Sequence, residues 1–202
     1  AMTLEFSTND PELAHIDGEL IVSDNREYFI AAGVSASVSF AEAFRNACKA
    51  HLAIDAEEFV VGYQKRKAKH QDLSTAQLFL ADSHANGAGY SVEIASQKSF
   101  TDVLGLLESD YEAKWTGDKH SQCTTSCPDC LRSYNNRSNH NLLDWRLALD
   151  VAAVIQGRNL RLDLWQEPSH KLASSLAGVK DLGLNLDCND VLGWPVLRNL
   201  DN

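Results

Sequence analysis

Residues 120–157 read HSQCTTSCPDCLRSYNNRSNHNLLDWRLALDVAAVIQG, and this stretch decides how the chain folds. Cys123, Cys127 and Cys130 fall within eight positions of a polar loop rich in Ser and Thr. The C-x-x-C turn from Cys127 to Cys130 lets two thiolates converge on one ion, and Pro128 limits the freedom of that turn. Such clustering in a chain without a visible secretory signal favours a metal over disulfides. Zinc in a structural site takes four ligands, so one is missing from the triplet. His140, ten positions after Cys130, is the first choice, giving a site of Cys123, Cys127, Cys130 and His140. His120, Cys48 and Cys188 are the alternatives, in that order. An iron–sulfur cluster would need four thiolates, which this stretch does not offer.

The run that follows, Leu142 to Ile155, has helical spacing, with Asn139 or Asn141 as its cap and Gly157 as its stop. Its apolar residues occupy more than one stripe, so the spacing predicts a helix buried on two sides. Arg146 and Asp150 stand at i,i+4 on it and suit an intrahelical ion pair.

Working outward, Gly18–Val22 and Glu27–Ala32 read as strands on either side of a turn. A helix follows with Phe40, Ala43, Phe44, Ala47 and Leu52 on one face, capped by Ser37 or Ser39. Glu57–Tyr63 and Ala76–Ala81 are strand-like, and Gln64–His70 between them reads as a basic hairpin loop. Ser91 to about Leu107 reads as a helix, with a polar interruption at Ser96–Ser99. Beyond Gly157 the pattern gives a strand at Leu160–Trp165 and a helix at Ser169–Ala177. Short strands follow near Leu182–Leu186 and Pro195–Arg198. Interleaved strands and helices define an α/β chain, or an α+β one. A mixed sheet is flanked by helices, and a zinc knuckle precedes the long buried helix.

The 202 residues carry 28 acidic and 18 basic side chains, a net charge of −10, which argues against a protein that coats DNA along a broad face. With 44% hydrophobic residues and no apolar run near the length of a membrane span, the chain reads as globular and cytoplasmic. Ala1 ahead of Met2 resembles a cloning remnant, so the chain reads as a piece of something longer. It contains no G-x-x-x-x-G-K-[ST] loop, no H-E-x-x-H, no G-x-S-x-G and no G-x-G-x-x-G after a strand. His84-Ala85-Asn86 ahead of a Cys-x-x-Cys faintly resembles a nucleobase deaminase, but Asn86 stands where that chemistry needs a proton-shuttling Glu.

Three features line up in order: a strand ending Leu80-Ala81-Asp82 with the small-residue turn Asn86-Gly87-Ala88-Gly89-Tyr90, then the cysteine cluster, then Ser133-Tyr134-Asn135-Asn136, His140 and Leu143–Asp150. Together they resemble the MrfA-like zinc-binding domain found C-terminal to the motor of certain DEAD/DEAH-box helicases. These include DNA-repair enzymes and phage-defence systems. The resemblance covers about residues 41–157, with the knuckle at 120–140, inside what is expected to be a single domain over 1–202. Relatives commonly supply a fourth cysteine, and none lies close to the cluster here. The resemblance implies a zinc cofactor and motor domains in cis. The full-length protein would be an ATP-dependent superfamily 2 helicase, while this piece hydrolyses no nucleotide itself. It also implies DNA contact, weak in isolation, for which Lys65, Arg66, Lys67, Lys69, Arg132 and Arg137 are the candidates. A zinc-stapled protein–protein module and a zinc-dependent enzyme are the alternative readings.

Overall fold

A computed structural model of the protein describes residues 2–6, 31–67, 74–84, 87–177 and 186–199. The chain divides into two compact units, Ala1–Asn159 and Leu160–Asn202.

In the first unit, strands β1 (Met2–Phe6), β2 (Phe59–Lys67) and β3 (Ser74–Asp82) form an antiparallel sheet in the order β1-β3-β2. The β2–β3 register runs from Phe59 opposite Asp82 to Lys67 opposite Ser74. Leu78 and Leu80, two apart on the central strand, are both buried, as a pleat that turns alternate residues to one face requires. Gly62 sits opposite Phe79, whose ring lies where any Cβ would have to go. The pairing runs further than the hydrophobic pattern suggests. Lys65, Arg66 and Lys67 belong to β2 and not to a loop, because their backbone groups continue the ladder with Ala76, Thr75 and Ser74. Lys69 and the expected strand Gly18–Val22 lie outside the described residues. So do positions 27–30 of the second expected strand, while Ala31 and Ala32 open a helix.

That helix, α1 (Ala31–Leu52), is the centre of the unit. Every residue from Ser37 to Arg45 is buried, so it lacks the solvent face that a surface helix keeps. Phe40 stacks on Phe44 at 5.6 Å between ring centroids, and Phe44 on Phe100 at 5.7 Å. Glu42 and Arg45, buried among these neighbours, form an ion pair at 2.6 Å. The helix ends on Ala53 at φ +53°, with the Ile54 N–H bonded back to the Lys49 carbonyl.

After β3 the Asp82 carboxylate accepts from the backbone N–H groups of Gly89 and Ser91, seating the short helix α2 (Tyr90–Ile94). Ser96 then caps α3 (Gln97–Leu106) by accepting from the Ser99 N–H, which places the expected interruption. A π turn over Leu107–Tyr111 leads into α4 (Glu112–Thr116). The wider turn shifts the helical phase. Leu107 and Trp115 are both buried in this arrangement, and the Tyr111 hydroxyl donates to the Asn46 carbonyl of α1 at 2.9 Å.

The long buried helix α5 covers Trp145–Ile155, beginning three residues later than its apolar pattern suggests. Asp144 is the reason: itself extended after the turn that holds Leu142, it accepts from the Arg146 N–H at 2.9 Å through its carboxylate and so starts the helix. Gly157, at φ +71°, closes the helix, with Arg158 N–H bonded to Ala153 O and Gly157 N–H to Val154 O. Ala148, Ala152 and Ala153 are buried on α5, and Ala41, Ala43 and Ala47 on α1; their small side chains suit close packing of the two helices. The Ser39 hydroxyl of α1, wholly buried, ties the approach to α5 by accepting from the Asp144 N–H at 2.8 Å.

The second unit holds α6 (Gln166–Ala177) and an antiparallel hairpin of β4 (Leu186–Val191) and β5 (Trp194–Asn199). The strand expected at Leu160–Trp165 is instead a helical turn, Leu162–Trp165, running into α6. Leu160 and Leu162 are exposed there, and Arg161 pairs locally with Asp163, so no half-buried strand face forms. Helices and two small antiparallel sheets make up the described residues, in keeping with the α/β class, and the cysteine knuckle precedes the buried helix.

Candidate metal centre

A tight run of turns after α4 builds the knuckle. His120 lies in the 3-10 turn Asp118–His120, and its N–H bonds to the Gly117 carbonyl. The Cys123 N–H bonds back to His120 O, and both Cys130 N–H and Arg132 N–H converge on Cys127 O. This winding brings His120, Cys123, Cys127 and Cys130 together, with one ligand atom from each lying within 4.8 Å of all the others. Cys123 Sγ and Cys130 Sγ are 3.9 Å apart, and Cys127 Sγ is 3.4 Å from His120 Nε2. A tetrahedral ion with zinc-like bond lengths would place two sulfurs about 3.8 Å apart, and sulfur and nitrogen about 3.6 Å apart. The donor set therefore fits zinc in both size and chemistry.

The histidine is prepared for that role. His120 is buried, its Nδ1 lies 2.8 Å from the Trp115 carbonyl, and its ring meets Trp145 edge-on at 5.6 Å. A carbonyl can only accept, so Nδ1 carries the proton and the Nε2 lone pair faces the thiols. The cysteines, by contrast, ionise only with a cation beside them. Burial, followed by the neighbouring Cys130 and Cys127, pushes the Cys123 thiol far above its ordinary range. Burial likewise raises Cys130, although the Cys127 N–H, 3.0 Å away, favours its thiolate. Three thiolates so close together are stable only beside a cation, so this cluster can hold a metal ion such as zinc.

His140, expected as the fourth ligand, is not in the cluster. Its Nε2 lies 3.0 Å from both the Ser133 carbonyl and Asn136 Oδ1, two acceptors, so that nitrogen carries its proton into a polar network. Cys48 is core on α1, its thiol raised by burial, and Cys188 is exposed on β4. The spacing that identifies His120 was present in the sequence as H-x2-C-x3-C-x2-C, four ligands in eleven residues. No sequence pattern marked the Trp115 carbonyl that orients it.

The knuckle is sewn to α5. Trp145 N–H donates to Thr125 O at 3.0 Å and its indole N–H to Cys123 O at 3.5 Å. Arg146, almost fully buried, donates to the Thr124 carbonyl and pairs with Asp144 at 2.9 Å, so it is a brace within the fold and not part of an outer surface. The other candidate cations lie apart. Arg132 donates to Ser126 Oγ at 2.9 Å, Arg137 is exposed over the Tyr134 ring, and Lys65, Arg66 and Lys67 run along the β2 edge.

Over 117 residues the chain is 33% identical to Druantia protein DruE of Escherichia coli (strain UMEA 4076-1). The aligned stretch is 56% of this chain and 6% of that protein, so the chain corresponds to a small part of a much longer relative. No family model and no solved structure matches the chain. Among the described residues, no helix is long and apolar enough to cross a membrane.

Proposed function

We propose that this chain is an MrfA-like accessory domain of a DEAD/DEAH-box DNA helicase, stapled by one structural zinc and working in the cytoplasm on DNA presented by a motor elsewhere in the same polypeptide. The observation that carries the reading is the donor set itself. His120, Cys123, Cys127 and Cys130 converge in a loop whose carbonyls are bound by the first residues of α5. When bound, zinc would supply a cation that four protein ligands surround, leaving no open position for water or substrate. The chain's own residues do the rest. Trp115 orients His120, the Cys127 N–H supports the Cys130 thiolate, and Trp145 with Arg146 transmits the knuckle's shape to the buried helix.

Similarity to a small part of the much longer Druantia protein DruE supports reading the chain as one region of a large multidomain protein. The resemblance of residues 41–157 to the helicase zinc domain supplies the motor and the DNA. Without a phosphate-binding loop, the chain is expected to leave ATP intact. Metal analysis of the purified chain tests the staple: one zinc per chain is expected, and none would end the reading. Strand separation by the full-length protein tests the rest. Loading the zinc-ligand variants should leave ATP turnover by the motor but impair its coupling to unwinding. A full-length protein without ATP-dependent strand separation would leave only a zinc-stapled module.

A further inference from the structure

Tyr134 is 78% exposed, although the turn that carries it is fixed by several hydrogen bonds. The 3-10 turn Tyr134–Asn139 is fixed from below by Asn136, which is buried. Asn136 Oδ1 accepts from the Ser133 N–H and its amide donates to the Leu131 carbonyl, both at 2.8 Å. Leu131 and Leu143 also point inward and are buried. A fold that needed this ring for its core would have buried it, and single exposed rings are common, so what sets this one apart is how it is held. The Arg137 guanidinium lies over it, 5.0 Å from the centroid, and donates to its hydroxyl at 3.4 Å.

The surroundings narrow the partner. Residues 131–143, LRSYNNRSNHNLL, contain two arginines, a histidine and no acidic residue, in a chain of net charge −10. Glu57 bounds the patch, accepting from the Asn135 amide at 3.3 Å. A polar surround is common to protein and nucleic-acid interfaces, so the local charge decides: the contact shown for this ring is a cation, Arg137. A planar ring that is pre-ordered by a cation, next to the Asn135 amide, suits an unpaired nucleobase on its phosphate strand. Duplex DNA keeps its base faces stacked and offers none to such a ring.

We infer that Tyr134 is a stacking platform for a base of single-stranded nucleic acid, with Arg137 holding the ring and neutralising the adjoining phosphate. The inference rests on the DNA-handling role proposed above and names the form of DNA that the knuckle meets. The test compares the zinc-loaded chain, at low salt, on a short oligothymidylate and on an abasic strand of equal length and charge. Tyr134→Ala should weaken oligothymidylate binding about 5- to 100-fold and leave the abasic strand unchanged. Tyr134→Phe should stay within about 2-fold of the parent chain, because the ring remains. An oligothymidylate carrying 5-iodouracil should photo-cross-link to the peptide containing Tyr134. Equal binding of both strands by the parent chain, or an unchanged Tyr134→Ala, would overturn the inference, as would cross-linking confined to other peptides. A zinc-free chain that still separates the two strands through Tyr134 would end the staple reading and support this one. A zinc-loaded chain indifferent to Tyr134 would do the reverse.

Discussion

His120 and His140 flank the same three cysteines and differ in what their proton-bearing nitrogen touches. On the upstream arm, His120 gives its Nδ1 proton to the Trp115 carbonyl and turns a bare Nε2 toward the thiols. On the downstream arm, His140 spends its Nε2 proton on Ser133 O and Asn136 Oδ1. Asn136 is bonded further into Ser133 and Leu131, with Glu42 and Arg45 of α1 beside it. One arm gathers four metal-binding donors and the other is closed by hydrogen bonds. A histidine near a cysteine cluster can serve as a ligand only when its other nitrogen holds the proton and leaves a lone pair facing the sulfurs.

The sharpest way to break this comparison is to remove each imidazole in turn. His120→Ala should abolish stoichiometric zinc binding, lowering affinity by at least about 100-fold, and loosen α5 because binding and folding are coupled. His140→Ala should retain one zinc per chain. His120→Cys should retain it too, since a fourth thiolate preserves a closed site. Metal analysis with circular dichroism reads all three, and zinc lost from His140→Ala alone would reverse the assignment of the arms. Zinc retention should also fall with acid in the parent chain, since the thiols must lose their protons to bind.

Asn136→Ala attacks the other arm without touching a ligand. It strips a buried amide from Ser133, Leu131 and His140 together, leaving polar groups unpaired, and should cost about 3 kcal/mol of stability. Chemical denaturation should register that loss while zinc content stays at one per chain. A variant that loses its zinc instead would show that the two arms are a single unit.

How much of this was legible beforehand follows the range of the forces involved. The three cysteines, the buried helix and its glycine stop were readable because each is signalled within a few residues. The start of α5 lies later than the pattern suggests because Asp144, and not Asn139 or Asn141, accepts the capping hydrogen bond. Which histidine joins the cysteines is harder to read, for a deeper reason. Choosing between two histidines requires knowing that the Trp115 carbonyl points at one of them, and that depends on the phase shift of the π turn. At Leu160–Trp165 the apolar alternation suggests a strand, yet Leu160 and Leu162 are exposed and the stretch turns helical.

The downstream network should also respond to pH in the direction opposite to the zinc site. Burial raises the Glu42 carboxyl above its ordinary value, with Arg45, Asn136 and His140 only partly offsetting it. A raised acid favours the folded state while protonated. Its contribution is fully present below the ordinary glutamate pKa of about 4.3 and is lost as pH rises through the raised folded value. Glu42→Gln, which stays neutral, should therefore gain stability relative to the parent chain as pH rises across that window. Denaturation midpoints of the two zinc-loaded proteins at several pH values would measure it, and a constant difference would show that Arg45 fully compensates the charge.

The smallest effect belongs to the residue two positions before Asn136. Tyr134 shares the rigid turn but faces outward, so Tyr134→Ala removes little buried area and only an exposed contact with Arg137. Its stability should change by less than about 0.5 kcal/mol, against the much larger cost expected at Asn136. The contrast separates what holds the arm from what the arm displays. A large loss of stability in Tyr134→Ala would mean that the ring braces the turn, and any weakened strand binding in that variant would then reflect a damaged loop. An unchanged midpoint leaves the exposed ring free to serve a partner, because the fold draws almost nothing from it.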